Sequence, residues 1–263
     1  MMIGVLGPQG TISHELAERL FPGQAVPLPT IRQIFADVEA GKMEGLVPLE
    51  NSEAGGVGAT LDGLLSHGVF ITAEAYLEVR HHLAARVPLE HVTRIYAHPQ
   101  THEQCSIFLD RLGVEVIPTS SNAASAQEVL RHPGSGALLS RFTATHYGIP
   151  LIREDVQNSP GNITRFVRIA ASPGRCDPCT KCSLLIDPHT DRPGLLHDLL
   201  GVFSARGINL TRIESRPSKR GMGSYVFFID FQMATGWEGA VAFLKEITHV
   251  KDLGCYSRLE VPE

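Results

Sequence analysis

Ile3-Gly4-Val5-Leu6-Gly7-Pro8-Gln9-Gly10-Thr11-Ile12-Ser13 is the stretch from which the fold is read. A short apolar strand runs into a loop with two glycines, and a helix begins near Ser13. Strand, glycine-bearing loop and helix in that order make the repeating unit of an α/β domain. The unit recurs downstream. Thr30-Ile31-Arg32-Gln33 is a capping-box pattern opening a helix through about Ala40. Gly45 to Val47 reads as a strand running into Pro48-Leu49-Glu50-Asn51-Ser52, Thr60 to Leu65 as helix and Val69 to Leu77 as strand. Further strands are read at Arg94–Ala97, Val114–Ile117, Ala137–Leu139 and Pro150–Ile152. Helices are read to Leu112, from Ser120 or Ser121 to Leu130, and near Arg141–Tyr147. Gly113 suits the residue after a helix, where positive φ is needed. Polar loops thus fall at the C-terminal ends of strands, where open α/β sheets bind ligands.

Ser172 to Lys181 interrupts this rhythm with prolines, a glycine and cysteines, and marks a domain boundary. A compact unit follows: strand Ser183–Ile186, a helix opened by Asp191-Arg192-Pro193 and ended by Gly207, and strand Ile208–Ser215. A turn at Lys219–Gly223 leads to strand Ser224–Phe231, a helix around Glu238–Ile247 and a last strand near Cys255. That βαββαβ order is the ferredoxin-like arrangement.

Over 263 residues, 19% charged and 43% hydrophobic residues describe a soluble globular chain with room for one large or two modest domains. A net charge of −5 gives no basic footprint for nucleic acid. No apolar run approaches the roughly 20 residues of a spanning helix, and the N-terminus lacks a signal-peptide pattern, so a cytoplasmic setting without membrane is expected. Five cysteines is an odd number, so no complete disulfide framework is expected. Cys176-Asp177-Pro178-Cys179-Thr180-Lys181-Cys182 has a spacing that suits zinc or an iron–sulfur cluster but lacks a local fourth ligand. A solvated or redox-active linker is preferred over a metal site, and Cys105 and Cys255 are read as buried small hydrophobes.

Asn162-Ile163-Thr164-Arg165-Phe166 places a carboxamide, a hydroxyl, a cation and a ring on one strand end. Strand alternation sends Thr164 and Phe166 one way, Ile163 and Arg165 the other. Together with Gly7–Ser13, Val47–Ser52, Thr60-Leu61-Asp62, His98-Pro99-Gln100 and Ser120-Ser121, this segment resembles the prephenate dehydratases. Arg192-Pro193-Gly194-Leu195-Leu196 and Glu214-Ser215-Arg216-Pro217 resemble the ACT regulatory domain that follows in monofunctional members. The resemblance covers nearly the whole chain. It implies two α/β lobes around a cleft, similar to type II periplasmic binding proteins, over residues 1–172, then a linker at 173–182 and an ACT domain at 183–263. It also implies decarboxylative dehydration of prephenate to phenylpyruvate, without cofactor or metal, and feedback inhibition by phenylalanine. No chorismate mutase segment is expected. Departures from the family pattern are Ile12 for a phenylalanine, Ile163, Leu195-Leu196 and the cysteine-rich linker.

The resemblance gives Thr164 the catalytic position beside the departing ring hydroxyl, with Asn51 and Ser121 as further catalytic candidates. A neutral alcohol is a poor acid, so orientation and electrostatic stabilisation are favoured over full proton donation. Two substrate carboxylates call for cations or oriented N–H groups, which glycine loops entering helices supply. Gly10, Thr11, Ser13, Glu50, Ser52, Asn162, Arg165 and Phe166 are the substrate-binding candidates. Arg165 could instead make a surface or interlobe ion pair, and Glu50, Asn51 and Ser52 could simply stabilise a turn. His81, His82, His98 and His102 are read as structural or surface histidines. Gly194, Leu196, Asn209 and Leu210 are assigned to a phenylalanine sensor at a dimer interface. A homodimer or homotetramer is expected. Two rivals stay open: arogenate as substrate, and a non-catalytic amino-acid sensor.

Overall fold

The computed structural model describes residues 2–188, 192–218, 220–221 and 223–262. Strand β1 (Ile3–Leu6) leads through the glycine loop to α1 (Ile12–Leu20), where Thr11 caps the helix by accepting the His14 N–H. β2 (Ala25–Leu28) was not legible in the sequence; it is only half-buried and contains a proline. Thr30 caps α2 (Ile31–Glu39) by accepting the Gln33 N–H at 3.1 Å. Buried Ile31, Ile34, Phe35 and Val38 form one stripe at helical spacing. β3 (Glu44–Asn51), the two-residue β4 (Gly55–Gly56), α3 (Gly58–Ser66) and β5 (Phe70–Glu78) follow.

The chain then leaves for a second lobe made of β6 (His82–Ala85), β7 (Arg94–Ala97), α4 (Pro99–Gln104), α5 (Ser106–Leu112), β8 (Glu115–Pro118), α6 (Asn122–Arg131), β9 (Ser135–Leu139), α7 (Arg141–His146) and β10 (Leu151–Arg153). Its sheet runs β10-β6-β9-β7-β8. The helix read to Leu112 is two helices meeting at Cys105, and Gly113 has φ 66° as its position required.

β11 (Ile163–Ala170) returns to the first lobe and lies between β3 and β5, antiparallel to both, in the order β2-β1-β3-β11-β5. The second lobe is therefore an insertion, and two crossover segments join the lobes. Val79 donates its N–H to the Asn162 carbonyl at 2.7 Å, tying one crossover to the other.

The last unit contains β12 (Lys181–Asp187), α8 (Leu195–Ser204), β13 (Leu210–Pro217), β14 (Tyr225–Gln232), α9 (Trp237–Ile247) and β15 (His249–Tyr256). Its antiparallel sheet runs β13-β14-β12-β15, the ferredoxin-like order. Pro193 does not open α8; the helix starts at Leu195 behind Gly194, whose φ of 79° a side chain would strain. Gly207, at φ 64°, lies just past the helix end. Asp191, expected at this helix start, and Lys219, expected in the β13–β14 turn, lie outside the described residues.

Alternation along β12 explains how this unit sits. Cys182, Leu184 and Ile186 face α8 and α9, sharing a core with Leu199, Phe203, Phe231 and Leu244. Leu185, on the opposite face, joins Val226, Phe228, Leu253 and Tyr256 in a core shared with Ile34, Phe35, Val167 and Ile169 of the first lobe. Each fully buried large apolar side chain contributes about 1.5–3 kcal/mol, so the two units are docked over a continuous apolar surface. The chain beyond β15 returns as well. Leu259 donates its N–H to the Glu74 carbonyl at 2.7 Å, covering the free edge of β5.

Two disulfides, Cys176–Cys179 and Cys182–Cys255, form where the sequence led to a solvated or redox-active linker and an unpaired Cys255. Cys255 is thus not a free buried thiol, whereas Cys105 is. The odd count left one cysteine over and did not prevent two pairs. Among the described residues no helix is long and apolar enough to cross a membrane.

Candidate functional site

The cleft between the lobes has a volume of about 480 Å³. The N-terminal ends of α1, α4 and α6 reach it, through Thr11 to Ser13, His98 to Thr101 and Ser120 to Asn122. The strand ends of β3 and β11 bring Asn51 and Thr164 to its wall, and the crossovers bring Val79, His81 and Asn162. The residues lining it include no Lys, Arg, Asp or Glu. An anion entering this cleft would meet helix N-termini, where first-turn N–H groups lack intrahelical partners and the dipole favours negative charge.

Asn51 and Thr164 are register partners on β3 and β11, and strand alternation turns both into the cleft. The Asn51 amide has a fixed orientation. Its Oδ1 accepts the N–H groups of Glu53 and Ala54, both at 3.0 Å, which an NH₂ group could not do. Its Nδ2 therefore donates to the Asn162 Oδ1 at 2.6 Å and to the Thr164 Oγ1 at 2.9 Å. Thr164 is 4% exposed. With its oxygen accepting from Asn51, its own proton is left to point elsewhere, as a donor on the cleft wall. Ser121 caps α6 by accepting the Ala124 N–H at 3.0 Å, and Thr11 donates its hydroxyl to the Leu6 carbonyl at 2.9 Å. Ser13 is buried at the start of α1.

Other candidates lie elsewhere. Arg165 does not reach the cleft. It points into the interface with the ferredoxin-like unit, donating to Asp230 at 2.6 Å, Glu74 at 2.8 Å and the Tyr256 hydroxyl at 3.0 Å. Burial works against its charge, but Asp230, Tyr256 and Glu74 outweigh burial and hold its pKa above the ordinary value. Glu50 turns the same way and pairs with Arg212 of β13. Phe166 is fully buried in the first-lobe core with Ile3, Val5 and Leu16, next to a shift in the β3–β11 register. The Ser52 hydroxyl accepts the Ile163 N–H at 3.0 Å and serves the turn. Gly10 spends its N–H on His14 and its carbonyl on Thr143, and a Cβ there would lie 2.8 Å from the Tyr147 ring.

Thr101 and Gln104, which carry no sequence signal of their own, also line the cleft, as do Gln100, Asn122, His81 and His98, the last two expected to be structural or surface histidines. His81 bonds Gln104 through Nε2 at 2.9 Å and leaves Nδ1 buried without a partner. Burial lowers the pKa of both His81 and His98, so both are neutral at pH 7 and supply no cation. Two of the four histidines expected to be structural thus face the cleft; His82 accepts the Asp155 N–H and His102 is exposed. In the ferredoxin-like unit, Asn209 and Leu210 line a surface hollow of about 430 Å³ with Phe203 and Gly207. Gly194 and Leu196 are not among its lining residues; Gly194 caps α8 and Leu196 is 36% exposed.

The fold and its cleft define a two-lobed α/β binding fold carrying a docked ferredoxin-like unit. Residues 3–173 match the prephenate dehydratase family model and residues 185–236 match the ACT domain, and the chain belongs to the prephenate dehydratase family. It is 38% identical over 237 residues to the bifunctional chorismate mutase/prephenate dehydratase of Stutzerimonas stutzeri, covering 88% of this chain and 65% of that one. It therefore spans about two thirds of that relative's length. Against the prephenate dehydratase of Methanocaldococcus jannaschii it is 34% identical over 208 residues, covering 77% of this chain and 76% of that one. Among solved structures, prephenate dehydratase from Arthrobacter aurescens in complex with L-Phe superposes with a TM-score of 0.89 at 29% identity, covering 98% of this chain and 90% of that one.

Proposed function

We propose that the chain catalyses the decarboxylative dehydration of prephenate to phenylpyruvate, with feedback inhibition by phenylalanine. The observation that carries this is the Asn51–Thr164 pair, a locked amide that orients a hydroxyl donor into an otherwise uncharged cleft. Thr164 hydrogen-bonds the departing ring hydroxyl as negative charge grows on it, while loss of carbon dioxide delivers the electrons that aromatise the ring. A hydrogen bond poised at that oxygen stabilises the transition state without full transfer of a proton. The N-termini of α1 and α6, with Ser13 and Ser121, hold the two carboxylates in place of Arg165. Neutral His81 and His98 keep the cleft free of further charge.

Phenylalanine inhibition is supported by membership of the family, the ACT match and the L-Phe complex of the Arthrobacter aurescens protein. Gly194, Leu196, Asn209 and Leu210 are the sensing residues of this reading, which also takes a dimer or tetramer and a cytoplasmic location. The domain limits 1–172 and 183–263 stand as part of the same proposal.

Purified protein given prephenate and arogenate separately tests it. Phenylpyruvate from prephenate is the expected result. Phenylalanine from arogenate alone would move the substrate to the amino form, and no product from either would make the chain a sensor. Thr164→Val should lower kcat by about 10²–10³-fold while leaving folding intact. Near-normal turnover in that variant would remove Thr164 from the reaction.

A further inference from the structure

The helix ends at the cleft belong to different lobes: Thr11 and Ser13 open α1 in the first, Ser121 and Asn122 open α6 in the second. The short α7 of the second lobe stands between them. On one side it packs on α6, where Ala144 and Tyr147 share a core with Ala126 and Val129. On the other it meets the loop that enters α1. Thr143 donates its hydroxyl to the Gly10 carbonyl at 2.6 Å, and Tyr147 donates its own to the Gln9 carbonyl at 3.1 Å. Ser140, which caps α7, donates to Glu15 at 3.2 Å. Among the described residues, these three are the side-chain hydrogen bonds that join the loop and α1 to the second lobe.

The contact is close and largely dry. Thr143 and Ser140 are 1% and 6% exposed, so little water competes for their bonds. Gly10 has φ 84°, and the Cβ it lacks would lie 2.8 Å from the Tyr147 ring, so that ring rests directly on the loop backbone. His14 of α1 accepts the Gly10 N–H at 3.1 Å, and its ring meets Phe142 of α7 edge to face at 5.6 Å. Thr143 and Tyr147 themselves are not among the residues lining the cleft.

We infer that Thr143 and Tyr147 are positioning residues: through Gly10 and Gln9 they hold the α1 end of the cleft at a set spacing from the α6 end, and so fix the span offered to a dicarboxylate. The inference rests on the proposed reaction, in which these two helix ends take the two carboxylates of prephenate. One carboxylate sits on a ring carbon and the other ends a short side chain on that same carbon. The substrate can therefore satisfy both helix ends only over a narrow range of lobe spacings. A ligand with one carboxylate needs one end and is indifferent to the spacing. Loosening the contact thus weakens binding of the dicarboxylate in ground state and transition state alike, which raises KM and spares kcat.

Steady-state kinetics of the full chain test this, with prephenate as substrate and phenylpyruvate, which has a single carboxylate, as competitive inhibitor. Thr143→Val keeps the shape and removes the donor, and Thr143→Ser restores the donor. Thr143→Val should raise KM for prephenate about five- to tenfold with kcat within about threefold, the loss expected for one buried hydrogen bond. Its inhibition constant for phenylpyruvate should stay within about twofold, and Thr143→Ser should return KM to near the unaltered value. Tyr147→Phe, at the half-buried end of the contact, carries the same test with a rise of about threefold, and stands in if Thr143→Val does not fold. A KM within about twofold of the unaltered value in both variants overturns the inference. So does an equal weakening of prephenate and phenylpyruvate, because α7 would then only support the cleft as a whole. Absence of phenylpyruvate formation by the unaltered chain is a separate result, which removes the reaction itself and this inference with it.

Discussion

Replacing Asp230 with Asn tests how the ferredoxin-like unit is fastened to the strand that carries Thr164. Arg165 and Lys181 pair there with Glu74 and Asp230, and Glu50, itself paired with Arg212, lies 4.0 Å from Arg165. The side chains of Arg165, Glu74 and Asp230 are 4%, 5% and 3% exposed. Asn keeps the shape of Asp230 but takes from buried Arg165 its closest carboxylate and weakens the acceptor for Ser183. Breaking a buried ion pair from one side costs about 3–5 kcal/mol, because the remaining charge is stranded away from water. Against a typical total of about 5–15 kcal/mol this is a large fraction. Urea unfolding followed by circular dichroism should show the midpoint falling by that amount at constant slope. The double variant Asp230→Asn/Arg165→Met also removes the stranded guanidinium and should recover about 1–3 kcal/mol relative to the sum of the single changes. A loss below about 1 kcal/mol for Asp230→Asn would refute the reasoning, since it would mean that water reaches Arg165 and replaces its partner.

Two further outcomes follow from burial. His81 has its pKa lowered from 6.5 by burial, so an unfolded chain takes up this proton first as pH falls. Its contribution to stability is therefore complete above pH 6.5 and is lost as pH falls towards the lowered folded value, and His81→Asn should flatten that acid-side decline; identical slopes in urea midpoints between about pH 7.5 and pH 5.5 would contradict it. Gly63→Ala gains about 1 kcal/mol of helix propensity but puts a Cβ 2.5 Å from the Phe35 ring, where overpacking costs about 1–3 kcal/mol. A net drop in thermal midpoint is expected, and a rise would show that Phe35 yields freely.

Local chemistry made much of the fold legible. Thr30 before a periodic apolar stripe, Gly113 at a helix end and the run Tyr225 to Phe231 each announce their structure within a few residues. β2 and β6 were missed because neither shows clean alternation: one is half-buried throughout and contains Pro27, the other is fully buried. At the cleft, Asn51 and Thr164 carry their own motifs, but the fate of Arg165 depends on Asp230, Glu74 and Tyr256, which are remote in sequence. Strand parity already separated Arg165 from Thr164; nothing local could say what lay on the other side. His81 was hidden for a related reason, since its burial and its Gln104 partner arise only when the crossover folds beside α4. The Cys182–Cys255 pair likewise joins residues 73 apart, beyond any spacing rule.

The insertion of one lobe within the other also sets an order of events during synthesis. Residues 82–153 form the second lobe as one uninterrupted stretch, so it has all its strands as soon as they leave the ribosome. The first lobe begins earlier yet has a gap between β3 and β5 until β11 arrives. At translation rates of roughly 5–20 residues per second, that gap stays open for several seconds, with two strand edges facing each other unpaired. The lobe that starts last is ready first. Nascent chains stalled before Ile163 should therefore be vulnerable to proteolysis in the first lobe and to edge-to-edge association, while the second lobe is already resistant.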